Sequence, residues 1–259
     1  MKKLVELDPS GVEVVLLDID DTLTTTGKLT ADAYAALERL QGAGKIVVPV
    51  TGRPAGWCDH IARMWPVDAV VGENGAFYFH FSGNKLHKRF LEDAASRARK
   101  RARLDAIARR ILAEVPGCAL AADQAYRETD LAIDYCEDVP PLPLAAAECI
   151  AGLMHEAGLT AKISSIHVNG WFGGYDKLAT SRVLFEERFG LDLDRSNREF
   201  VFVGDSQNDA PMFAFFENSV GVANVRRFAG QIKALPRYVT DAASGAGFIE
   251  LARHLLHGG

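Results

Sequence analysis

Two aspartates, Asp18 and Asp20, stand two positions apart in the string DIDDTLT at 18–24, directly after an apolar run. An extended chain turns alternate side chains to the same side, so both carboxylates crowd one strand end. Such crowding costs free energy unless a cation is present. Magnesium, which takes oxygen ligands and keeps several waters, fits better than calcium or zinc. Taken alone, an acidic turn after a strand is commonplace. Three further clusters share the placement. VTGRP at 50–54 follows another apolar run, where the Thr51 hydroxyl and the N–H groups around Gly52 can cradle phosphate oxygens and Arg53 can add a bidentate charged contact. Lys177 stands near the start of a helical segment, where the helix dipole disfavours a cation and a buried anionic partner would account for it. FVGDSQNDAPMF at 202–213 supplies Asp205 and Asp209 with Asn208 beside them, the most specific of the four strings.

The elements that must hold these clusters are legible as runs rich in β-branched residues: Val12–Ile19, Ile46–Val50, Ala69–Val71 and Phe200–Val203, each followed by glycine, acid or turn residues. Between the first of them lie helical segments such as Thr30–Gln41, with Thr30 as the cap and Ala33, Ala36, Leu37 and Leu40 on one face. Strand and helix in alternation predict an α/β fold with a doubly wound parallel sheet, and in such sheets ligands sit at the carboxyl ends of the strands. Each polar cluster falls at such an end or at a helix start.

From about Phe81 to Tyr175 the texture changes, which predicts an inserted α+β domain at 81–175 in a core made of residues 1–80 and 176–259. A helix is expected over Glu92–Val115, strands at Ala119–Ala122 and Leu131–Tyr135, a helix over Leu144–Ala157, and strands at Ala161–Ser164 and Ile166–Val168. PPLP at 140–143 reads as a loop entering a helix, since proline is tolerated in a first turn. The run RARKRAR at 97–103 reads first as a solvated helix face, with steering of an anionic substrate as the functional alternative.

Composition narrows the class. A chain of 259 residues, 48% hydrophobic, can bury a large core, and a net charge of -5 argues against a nucleic-acid binder, which needs a basic surface. No apolar stretch approaches the roughly 20 residues of a membrane span. The N-terminal stretch lacks the apolar core of a signal peptide, so a cytoplasmic protein is expected. Cys58, Cys118, Cys136 and Cys149 show neither zinc-site nor disulfide spacing and are expected to be reduced.

Taken in order, D-x-D, T-G-R, lysine and G-D-x-x-N-D resemble the four-motif signature of the haloacid dehalogenase superfamily over nearly the whole chain. An insert between the second and third motifs resembles the type-two cap of subfamily IIB, the branch of sugar-phosphate phosphatases and phosphomannomutases. VGENGA at 71–76 and the stretch from Val220 to Leu256 are similar to that branch as well. The family usually has glycine where this chain has Asp21, and many relatives have Lys-Gly where this chain has Lys177-Leu178.

The resemblance implies a magnesium-dependent phosphatase acting on a small phosphorylated metabolite, a sugar phosphate or an organic-acid phosphate. Asp18 would attack phosphorus and form an aspartyl phosphate that water hydrolyses, and Asp20 would act as acid and then base. Thr51 and Gly52 would hold phosphoryl oxygens, Lys177 would offset charge, and Asp18, Asp20 (through its carbonyl), Asp205 and Asp209 would hold Mg2+. Specificity is expected in the cap, near Arg127 and the segment IHVNGWFGGY, with Asn169 as the first polar candidate and Asn74 and Asn208 reaching the substrate from the core. His167 reads as a strand histidine, because Asp20 fills the acid/base role; Trp171 and Phe172 read as packing, and Gly173 and Gly174 as a hinge. A phosphomutase and a non-catalytic binding protein of the same fold are the rival readings. Oligomeric state and substrate identity are not encoded in any motif of the chain.

Overall fold

The computed structural model describes residues 1–164, 166–230 and 232–257. In chain order the first part comprises β1 (Lys2–Lys3), β2 (Val14–Leu17), α1 (Ala31–Gly42), β3 (Ile46–Pro49), α2 (Ala55–Met64), β4 (Val70–Gly72), β5 (Phe77–Ser82) and β6 (Lys85–Phe90). The middle comprises α3 (Ala94–Glu114), β7 (Ala119–Leu120), β8 (Asp130–Asp134), α4 (Leu144–Glu156), β9 (Thr160–Ile163) and β10 (His167–Trp171). The last part comprises α5 (Lys177–Leu184), β11 (Phe200–Gly204), α6 (Ala210–Phe215), β12 (Asn218–Gly221), β13 (Tyr238–Val239) and α7 (Ser244–His257).

The expected parallel sheet is present, in the order β1-β13-β12-β11-β2-β3. Within it β2 lies between β11 and β3, with Val14 opposite Phe200 on one side and Ile46 on the other, and Leu17 opposite Val203 and Pro49. Both faces are buried, and this explains the continuous apolar runs. Val15, Leu17, Val47 and Val203 face the side covered by α1, α2 and α7 through Leu37, Ile61 and Leu251, whereas Leu16, Val48, Phe200 and Phe202 face Leu184, Met212 and Phe213 of α5 and α6. Thr30 caps α1 as its type predicts, accepting from the N–H of Ala33 at 3.3 Å.

The run at Ala69–Val71 does not extend the parallel ladder as a full strand. It joins by a single parallel bridge, Val50 to Val71, and otherwise belongs to an antiparallel sheet β4-β5-β6. The β5–β6 hairpin is absent from the sequence reading, although Gly83 and Asn84, at φ 56° and 57°, are the residues that a two-residue type I′ turn requires. The expected boundary at residue 81 falls inside this hairpin, and Leu86 and Phe90 of β6 still pack against the core.

The insert builds an antiparallel sheet, β7-β8-β10-β9, with its own apolar cluster: Leu131, Ile133 and Val168 of the strands meet Leu104 and Ile111 of α3 and Ile150 and Met154 of α4. Period-two alternation puts the other side chains of these strands on the opposite face. Asp130 and Asp134 of β8 and His167, Asn169 and Trp171 of β10 therefore share the face without helices, and His167 lies directly opposite Asp134 in the register. The basic run of α3 is not a purely solvated face. Lys100 donates to the carbonyl of Phe172 at 3.0 Å, Arg101 to those of Asp130 and Arg127 at 3.2 and 3.0 Å, and Arg103 stacks on the Phe172 ring. No disulfide joins Cys58, Cys118, Cys136 or Cys149. Among the described residues no helix is long and apolar enough to cross a membrane.

Candidate active site

The carboxyl ends of β2 and β11, adjacent in the sheet, bring Asp18 beside Asp205. Asp209 joins them from the short turn that leads into α6, and the three buried carboxylates have oxygens within 4.8 Å of one another. Gly204 makes this possible, since a Cβ there would lie 2.5 Å from Asp209 Oδ2. Asp209 Oδ2 accepts from the N–H groups of Asp205 and Ser206 at 3.1 and 3.3 Å, so one carboxylate shapes the whole turn. Lys177, the first residue of α5, donates to Asp18 Oδ1 at 2.7 Å and to Asp209 Oδ1 at 2.8 Å. The anionic partner expected for a lysine at a helix start is thus a pair of aspartates.

Three buried carboxylates against one ammonium leave an excess of negative charge. Burial, reinforced by Asp209 and Asp20 against the pull of Lys177, pushes Asp18 up to about 7, and burial together with Asp18 and Asp209 raises Asp205 well above the ordinary range. Burial works against the charge on Lys177, but Asp18 and Asp209 outweigh it and hold the amine protonated. An all-carboxylate donor set with this charge fits a hard divalent cation. Asp205 is oriented by Asn224, whose Nδ2 donates to Asp205 Oδ2 at 3.1 Å and to the carbonyl of Asp21 at 3.0 Å. No motif reasoning singled out Asn224. Asp21 itself sits at φ 57°, a left-handed conformation that glycine adopts freely and aspartate tolerates, so glycine and aspartate are both at home there.

Asp20 is held by Arg53, whose Nε lies 3.1 and 3.0 Å from the two carboxylate oxygens and whose terminal nitrogen lies 2.7 Å from Oδ1. Arg53 lies over the Trp57 ring at 4.3 Å. Its forked contact therefore serves a protein carboxylate in this structure. Thr51 is fully buried, and its hydroxyl accepts from the N–H of Arg53 at 3.0 Å, which leaves its proton for another acceptor. Asn74 is at φ 55°, next to Glu73 at 44°, and its buried Nδ2 has no hydrogen-bond partner. Gly75 completes this turn: a Cβ there would lie 2.2 Å from the carbonyl oxygen of Asp176, so only glycine lets the turn touch the start of α5.

The helix-free face of the insert covers these groups. A cavity of about 30 Å³ lies between them, lined by Asp18, Asp20, Gly52, Arg53, Asn74, Asp205 and Asn208 of the core and by Arg127, His167 and Asn169 of the insert. Lys177, Asn74 and Asn208 line a second space beside it, of about 40 Å³. Thr51 and Asp209 line neither space and support the walls from behind. Asn208 accepts from the Ser206 hydroxyl at 2.7 Å. Asn169 donates to Asp130 Oδ2 at 3.0 Å and thereby belongs to a buried network in which Arg127 contacts both oxygens of Asp130 at 3.1 and 3.0 Å and both oxygens of Asp123 at 3.0 and 3.1 Å.

Residues that sequence reasoning did not single out join the insert to the core. Glu73, fully buried, accepts from the N–H of Ala55 at 2.9 Å, from those of Glu128 and Thr129 at 2.9 and 2.7 Å, and from the Thr129 hydroxyl. Glu137 lies 3.3 Å from Arg53 and 2.8 Å from His167. Their only signal in the sequence was that an acid in an otherwise apolar or turn segment needs a partner.

A family model for haloacid dehalogenase-like hydrolases matches residues 15–101. A phosphoglycolate phosphatase of Pyrobaculum neutrophilum is 30% identical over 252 residues, which cover 96% of this chain and 98% of that protein. Among solved structures, a Thermoplasma acidophilum protein matches with a TM-score of 0.71 at 19% identity, over 95% of this chain and 98% of that one. The sucrose-phosphatase of Synechocystis sp. PCC6803, solved with sucrose and phosphate, matches with a TM-score of 0.63 at 15% identity, over 94% and 98%. The two structures share the fold with its insert, and the full-length relative adds the sequence likeness. The chain belongs to the haloacid dehalogenase-like hydrolases.

Proposed function

We propose that this enzyme is a magnesium-dependent phosphatase that hydrolyses a small phosphomonoester through an aspartyl phosphate on Asp18. The carrying observation is the bridge of Lys177 between Asp18 and Asp209, with Asp205 alongside, under the floor of a covered cavity. Phosphatases among the relatives support the same reading. Asp18, Asp205 and Asp209, with the backbone carbonyl of Asp20, would hold the cation, which when bound offsets charge on the carboxylates and the phosphoryl group.

Lys177 engages one oxygen of Asp18 and leaves the other for phosphorus. Gly52, Asn74 and Asn208 line the place where phosphoryl oxygens would sit, and the unpartnered Nδ2 of Asn74 is a ready donor. Asp20, placed at the cavity by Arg53, would protonate the leaving oxygen and then take a proton from the hydrolytic water.

Residues 81–175 act in this reading as the cap, apart from the hairpin that packs with the core. A water needs about 10–15 Å³ of such space, so the cavity of about 30 Å³ holds little more than a pair of waters. A cap over the site favours a small phosphoester, and the phosphoglycolate phosphatases among the relatives support a short organic-acid ester. The test is phosphate release from phosphoglycolate and a panel of sugar phosphates, with and without magnesium, for wild type and Asp18→Asn. Magnesium-dependent release from the wild type alone supports the reading; release that persists in the variant overturns the role of Asp18.

A further inference from the structure

Two cationic or hydrogen-donating side chains that line the cavity, Arg53 from the core and His167 from the insert, converge on one carboxylate, that of Glu137. His167 is 2% exposed. Its Nε2 lies 2.8 Å from Glu137 Oε2 without the alignment of a good hydrogen bond, so this buried donor is in contact but not satisfied. Arg53 reaches Glu137 Oε1 at 3.3 Å with the same nitrogen that lies 2.7 Å from Asp20. Both donors are thus drawn to one half-buried acid, and of the two the His167 nitrogen is left short of a well-aligned partner, which is costly in a covered site.

We infer that Arg53 and His167 form a subsite for a substrate carboxylate, and that Glu137 is an internal stand-in which the substrate displaces. This rests on the phosphatase reading above and specifies its substrate as a phosphoester whose alcohol carries a carboxylate close to the ester oxygen. The distances fit the chemistry. In a phosphorylated 2-hydroxy acid the carboxylate carbon is two bonds from the oxygen that Asp20 would protonate, and Arg53 is bonded to Asp20 itself.

The stand-in is also placed for exchange. Its backbone is fixed, because Asp134 accepts from the N–H groups of Cys136, Glu137 and Asp138 at 2.9, 2.8 and 2.8 Å, so only the side chain has to turn aside. The His167 ring, and after it Arg53, hold the Glu137 carboxyl down to about 2 against burial, so the occupant is a carboxylate at any physiological pH. A sugar phosphate offers no such anion and would have to leave Glu137 in place.

Steady-state kinetics with 2-phosphoglycolate and with ethyl phosphate, which lacks the carboxylate, test this in wild type, Glu137→Gln and His167→Gln. Glu137→Gln is expected to lower KM for phosphoglycolate at least threefold relative to that for ethyl phosphate. His167→Gln is expected to lower the ratio of kcat/KM for the two esters at least tenfold. The gain in Glu137→Gln cannot arise from a damaged fold, so it decides the matter if His167→Gln is unstable. Ratios that stay within twofold of wild type, or a Glu137→Gln effect equal for both esters, overturn the subsite while leaving the phosphatase intact. Hydrolysis of neither ester by the wild type overturns the phosphatase reading and the subsite with it.

Discussion

Arg127 of the insert donates to the carbonyl oxygen of Gly52 in the core at 3.0 Å while its guanidinium is sandwiched between Asp123 and Asp130. The loop that carries the second motif is therefore held from above by the same buried network that positions Asn169.

Replacing Arg127 by methionine leaves Asp130 buried without its cation and Asp123 with only Arg53 at 3.6 Å, and breaking a buried ion pair from one side costs about 3–5 kcal/mol. Urea unfolding is expected to show a loss of that order. Asp130→Asn paired with Arg127→Met should recover part of it, because the second change removes the orphaned charge.

Lys177→Met removes the ammonium between Asp18 and Asp209. Electrostatic groups of this kind contribute roughly 10²–10³ to turnover, and kcat is expected to fall by at least that much, with phosphate release at saturating substrate as the measurement. An undiminished kcat would mean that the lysine serves the fold alone.

Magnesium is expected to raise the melting temperature of the wild type, since a ligand bound to the native state at about 100 times its Kd stabilises it by about 2.7 kcal/mol. Chelation should reverse the shift. Asp205→Asn, which weakens the donor set without touching the partners of Lys177, should show little or no shift at the same magnesium concentration.

The Glu137 carboxyl has a folded-state value lowered to about 2, with the His167 contact as the chief cause and Arg53 next. A depressed acid stabilises the fold above its unfolded value and loses that contribution as pH falls toward the folded value. The difference in stability between wild type and Glu137→Gln should therefore be full at pH 6 and shrink as pH drops through 4 toward 2. Urea midpoints at pH 6 and pH 3 measure it, and a difference that grows on acidification would contradict the assigned contacts.

The positions of Asp18, Thr51 and Asp205 at strand ends were legible because strand and motif are contiguous in the chain, and the hydrophobic run, the turn and the acid are read together. The alternation of β8 and β10 was equally local: Leu131, Ile133 and Val168 announce one face, and whatever stands between them must lie on the other. The β5–β6 hairpin was missed because His80, His87 and Lys88 break the apolar alternation, and its packing comes from Phe90, whose ring meets those of Phe77 and Phe79 only once the turn has formed.

Local pattern thus determined which carboxylates end which strands, that the chain alternates strand and helix, and that an insert separates the second motif from the third. Tertiary structure alone decided partnership: that Lys177 reaches Asp18 across 159 positions, that Arg53 serves Asp20 and Glu137, and that Glu73 ties Ala55 to Thr129. The reason is physical. Strand and helix periodicities are set by neighbours a few residues away, whereas a buried charge is tolerated only with a compensating partner, and which partner arrives depends on how distant elements pack.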